Sequence, residues 1–120
     1  MAATIIPIQG TFDIAIGRNT LRTKIVARRW APKFNARAAA ALTALGELIL
    51  SAETSRIVPV RMRVLEEEAA GIEFSCDIRL NNSSGDRFDE AQARLDRATD
   101  ELDMVSGGST VRVIARIWVA

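Results

Sequence analysis

Three side chains with chemistry to offer, Thr43, Glu47 and Ser51, stand at i, i+4 and i+8 in a segment rich in alanine and leucine. On a helix that spacing sets two hydroxyls and a carboxylate along one stripe. A helix that is apolar nearly all round is normally buried, and an unpaired buried carboxylate is costly, so Glu47 needs a partner. Arg18 and Arg22, in the segment just before, are the candidates. Cys76 is the single cysteine and the chain has no histidine. An intrachain disulfide is thereby excluded, and the commonest metal ligand and the usual general base at neutral pH are missing. No metal site is expected, and Cys76, on the apolar side of a strand, reads as a small core residue.

The elements that must position these groups follow from periodicity. Thr4–Gln9 is β-branched and apolar and reads as a strand, and Asp13 after Gly10 reads as a helix N-cap. A basic amphipathic helix runs from Ile14 to Trp30, with Pro32 as its stop. The second helix, Ala36–Ala52, is made of the strongest helix formers. Arg56–Leu65 and Ile72–Leu80 alternate as antiparallel strands joined by a turn at Glu66–Gly71, and their outward Arg and acidic residues are placed to pair across strands. A third helix is expected to carry Phe88, Ala91, Leu95, Ala98, Leu102 and Val105 on one face, with Gly107-Gly108 as its cap. The last strand, Thr110–Val119, sends Val111, Val113 and Ile117 inward. The expected fold is a single α+β domain over residues 1–120: a two-layer sandwich in which three helices cover one face of a mainly antiparallel sheet, in the order β-α-α-β-β-α-β.

The net charge of +1 hides a strong asymmetry: ten Lys/Arg against three Asp/Glu up to Arg63, and six against twelve from Val64 onward. Opposed halves favour ion pairs inside the fold over contacts between copies. The basic first helix lacks interleaved aromatics, so a nucleic-acid partner is not expected. No stretch approaches the length of a membrane span and Met1–Gln9 does not read as a signal peptide, so a cytoplasmic location is expected.

Several segments together resemble the Bergerat-fold ATPases, and in particular the small serine kinases that act as bacterial anti-sigma factors. The resemblance rests on Asp13-Ile-Ala-Ile-Gly-Arg18, Thr43-Ala-Leu-Gly-Glu47-Leu-Ile-Leu-Ser51, Gly71-Ile-Glu-Phe-Ser-Cys-Asp77, Leu95-Asp-Arg-Ala-Thr-Asp-Glu101 and Ser106-Gly-Gly-Ser-Thr-Val111. It implies ATP with magnesium as the cofactor of an active member, Glu47 as the catalytic carboxylate, and Thr43, Ser51, Asp77 and Ser109 as the remaining pocket residues. The chain departs from that pattern at the points that matter. Ser51 replaces a magnesium-binding Asn, and a hydroxyl is a poorer ligand for a hard cation. Asp77-Ile-Arg-Leu-Asn81 lacks both glycines that admit the nucleotide, alternation turns Asp77 outward, and only Asn81–Gly85 stands where a lid is expected. A filled or narrowed pocket, no cofactor and no catalysis are therefore expected, with weak ATP binding or serine-kinase activity as the alternative.

The remaining expectation concerns the outer sheet face, where Ile114 and Trp118 sit among Arg61, Arg63, Arg112 and Arg116. Tryptophan and arginine are enriched at interface anchors. This face is expected to meet a protein partner, most simply a second copy in a two-fold homodimer, with the arginines reaching Glu73 and Asp77 across the axis.

Overall fold

The computed structural model describes residues 3–52, 56–80 and 85–119. Its elements are β1 (Thr4–Ile8), α1 (Thr11–Ile25), α2 (Pro32–Ala52), β2 (Val58–Leu65), β3 (Gly71–Arg79), α3 (Gly85–Ala98), β4 (Glu101–Gly107) and β5 (Thr110–Trp118), with a short 3-10 turn at Val26–Arg28. The five strands form one antiparallel sheet in the order β1-β2-β3-β5-β4. The expected α+β sandwich is what is observed, with one strand more than the spacing of residues predicted.

That extra strand is β4. The helical spacing of Leu95, Ala98, Leu102 and Val105 suggested that the third helix continues to Gly107, but α3 ends at Ala98. From Glu101 onward the side chains alternate instead, with Leu102 and Met104 half-buried and Glu101, Asp103 and Val105 exposed. Gly108, at φ +66°, makes the tight turn that lets this segment fold back on β5, with Gly107 opposite Thr110. Pairing with β5 outweighs the local helical pattern, and the double glycine serves a hairpin rather than a helix cap.

The helix boundaries shift for similar reasons. Gly10 rather than Asp13 is the N-cap of α1, and the Asp13 carboxylate reaches back to accept hydrogen bonds from the Gln9 and Gly10 amides at 2.8 and 3.0 Å. Pro32 opens α2 instead of closing α1, which suits a residue whose missing N–H is no loss in the first turn.

Leu42, Leu45, Leu48 and Ile49 of α2 are fully buried with Ile6, Val60, Met62, Phe74, Ile78, Val113 and Ile117 of the sheet. The inward residues of β2, β3 and β5 are those that alternation assigned. No helix among the described residues is long and apolar enough to cross a membrane.

One close approach depends on the residue type at Gly71, which lies opposite Trp118. A Cβ there would stand 2.5 Å from the Ile117 carbonyl oxygen and 2.8 Å from Trp118 Cε3. Gly71→Ala is expected to destabilise the protein by about 1–3 kcal/mol through this overlap. Gly107→Ala, where nothing lies within 4 Å, should change stability little, so denaturant unfolding of the two variants checks the contact.

Candidate functional site

The stripe on α2 opens into a groove. Thr43, Glu47, Leu50 and Ser51 of α2 line it with Thr11, Ile14, Ala15 and Arg18 of α1 and Arg87, Glu90 and Arg94 of α3, enclosing about 570 Å³. The expectation of a filled or narrowed pocket is corrected by this space. It arises because α1 and α3 flank the same solvent-facing side of α2, and the side chains that line it leave the space between them open.

Within the groove the partners differ from those the sequence suggested. Glu47 pairs with Arg94 of α3 at 3.5 Å, not with Arg18 or Arg22 of α1, and both members of the pair are about half-exposed. Arg18 instead donates a 3.2 Å hydrogen bond to the Thr43 hydroxyl, one turn before Glu47. Thr43 and Ser51 donate their own protons to helix carbonyls, at Ala39 (3.0 Å) and Leu48 (2.6 Å). Glu47 is thus held by a cation, and the Thr43 and Ser51 hydroxyl protons are engaged by helix carbonyls rather than by Glu47. Among the described residues no group of three or more His, Cys, Asp or Glu is placed to hold a metal ion. Arg87, Glu90 and Arg94 were not anticipated. Their i, i+3, i+7 spacing, beside the Phe88/Ala91/Leu95 stripe, is the signal that would have placed them.

The other proposed pocket residues lie elsewhere. Asp77 is on the outer face of the sheet, away from the helices, where Arg112 holds it at 3.0 and 3.4 Å. Ser109 is in the β4–β5 turn, and its carbonyl accepts the Leu80 amide at 2.7 Å. Thr43, Glu47 and Ser51 therefore share a groove that Asp77 and Ser109 do not enter. Asn81, with residues 82–84 of the lid position, lies outside the described residues. Cys76 is buried, and burial first, then the Asp77 charge beside it, push its thiol up to about 12.

The outer face carries a second constellation. Arg63, Glu73, Arg116 and Glu101 stand in one cross-strand row over β2, β3, β5 and β4. Glu73 is 8% exposed, and its two oxygens are bridged by Arg63 at 3.0 Å and Arg116 at 2.9 Å. Arg116 also reaches Glu101 at 3.3 Å and Asp103 at 3.7 Å. Burial pulls the Arg116 guanidinium down, but Glu73 and Glu101 hold it above its ordinary value. Trp118 is half-buried beside this row, two residues beyond Arg116 on β5, with its indole N–H donated to Glu101. The arginines expected to cross a two-fold axis thus meet Glu73 and Asp77 within one chain. Arg61 makes no ion pair among the described residues, and Ile114 lies between Ser75 and Asp103 near the middle of the face.

At the same end of the sheet, Asp100 accepts from Arg37 at 2.6 Å and from the Trp118 amide at 2.7 Å. The hydrogen bond from Arg37, then that from Trp118, hold its carboxyl below the ordinary range.

No protein-family model matches the chain, and comparison with the curated proteins finds no match.

The two carboxylates should respond differently to substitution. Glu47→Gln removes a solvent-exposed pair and is expected to cost less than about 1 kcal/mol. Glu73→Gln leaves two arginines facing a neutral amide at a buried site and is expected to cost about 1–3 kcal/mol. Urea unfolding of the two variants checks the ranking.

Proposed function

We propose that the chain is a non-catalytic regulatory or protein-interaction module, similar to the bacterial anti-sigma-factor kinases in its order of elements, which works in the bacterial cytoplasm as a homodimer. Neither nucleic acid nor a membrane is a partner in this reading. The observation that carries it is the outer face of the sheet. All three helices lie on the other side, and among the described residues no second layer covers Ile5, Ile114 or Val105, of which Ile5 is 51% and Val105 63% exposed. A row of Ile5, Arg61, Ser75, Ile114 and Asp103 crosses the whole sheet.

The charges on this face support a contact in a different way from that expected. Glu73, paired with Arg63 and Arg116, and Asp77, paired with Arg112, have their counter-ions in place before any partner arrives. A partner covering them need not supply counter-charges, which lowers the desolvation cost of the contact.

The groove along Thr43, Glu47 and Ser51 favours a second reading, a weak ATP-binding protein or serine kinase with magnesium. Its volume admits a small ligand, and three arginines line it. That reading requires Glu47 to leave Arg94.

Ile114→Arg tests the dimer, because the residue sits near the centre of the face and takes part in no ion pair. At about 100 μM, where a dimer of micromolar affinity is populated, the wild type should sediment as a dimer and the variant as a folded monomer that still unfolds cooperatively. A monomeric wild type would rule out the homodimer.

A further inference from the structure

The two edges of the sheet are not equivalent. On β1, Pro7 stands opposite Pro59. Neither has an N–H, so this is not a hydrogen-bonded pair, and the nitrogen of Pro7 faces the open edge. Proline on an edge strand is one of the devices that block further pairing.

The β4 edge has no such device. On β5, the hydrogen bond from the Leu80 amide to the Ser109 carbonyl fixes the odd-numbered peptide groups toward β3 and the even-numbered ones toward β4. Their partners Glu101, Asp103, Val105 and Gly107 face β5, so Leu102, Met104 and Ser106 turn N–H and C=O outward. Among the described residues no strand pairs with them. Beside this edge, Asp89, Gln92, Ala93 and Asp96 of α3 form a groove of about 440 Å³ with Leu102 and Met104.

We propose that the β4 edge and α3 take up an extended segment of a partner protein as a sixth strand, one that carries Lys or Arg at alternate positions. Main-chain bonding to Leu102, Met104 and Ser106 supplies the docking, and the groove reads alternate side chains. The charge requirement is specific. Asp89 and Asp96 make no ion pair among the described residues, while Glu101 and Asp103 share Arg116 with Glu73. A second copy is a poor occupant, because pairing β4 with itself brings these carboxylates together, and the β1 edge offers Ile5 and a blocked Pro7. The inference rests on the interaction-module reading but not on the homodimer.

The test is an amide-resolved NMR titration of the full chain with an eight-residue peptide that alternates valine and lysine. The amides of Leu102, Met104 and Ser106 should shift and their hydrogen exchange should slow, while a valine–glutamate peptide leaves them unchanged. Ser106→Pro removes an outward donor and leaves the β4–β5 ladder whole, and it should weaken binding about tenfold. Asp89→Asn with Asp96→Asn should do the same, which keeps the test decisive if the proline variant misfolds. Absence of shifts at millimolar peptide, or equal affinity in all variants, overturns the proposal. Shifts confined to Ile114 and its neighbours overturn it while leaving the interaction reading intact; edge binding by a monomeric wild type supports it while removing the homodimer.

Discussion

Ten residues of α2 are buried, from Phe34 to Ala52, and they take up rather more than half of the helix circumference, the rest being the side that carries Thr43, Glu47 and Ser51. An apolar arc that wide is more than a sheet alone covers, since each leucine or isoleucine left exposed would forgo about 1.5–3 kcal/mol of burial. The sheet therefore covers one side and α1 and α3 the flanks. With α1 and α3 packed beside α2, no helix among the described residues lies on the other face of the sheet. The uncovered face and the polar groove along Thr43, Glu47 and Ser51 are both consequences of this one requirement.

The bare face persists in water because it is organised by charge. Antiparallel register sets Arg63, Glu73, Arg116 and Glu101 side by side, and Glu73 is shielded by its two arginines although no element among the described residues lies above it. Trp118 stands beside the row at the price of a glycine at position 71, while Arg37 and Asp100 tie the end of β5 to α2. The opposed charges of the two halves of the chain are used partly in this way. Arg28–Glu66, Arg37–Asp100 and Arg63–Glu73 each join a cation of the first half to a carboxylate of the second.

Alternation made β2, β3 and β5 legible, including the outward turn of Asp77 and the cross-strand pairing of Arg with Glu and Asp, because a strand with one buried face allows no other register. The stripe on α2 was legible for the same kind of reason. What escaped was set by contacts distant in sequence. Leu102 and Val105 fit a helical repeat with Leu95, and only pairing with β5 makes them part of a strand. Arg18 lies nearer in sequence to Glu47 than Arg94 does in no useful sense, since α3 packs against the same side of α2 and supplies the cation. The space beside Glu47 depends on how three helices splay, a quantity that no local pattern carries.

On the proposed reading of the chain as a non-catalytic interaction module, the groove along Thr43, Glu47 and Ser51 binds no nucleotide, and calorimetric titration with ATP, with and without magnesium, measures this directly. The separation of Asp77 and Ser109 from the Glu47 groove, and the pairing of Glu47 with Arg94, predict no binding at millimolar ATP in either condition. Micromolar, magnesium-dependent binding that Glu47→Ala abolishes would contradict the account and make the groove a working nucleotide site.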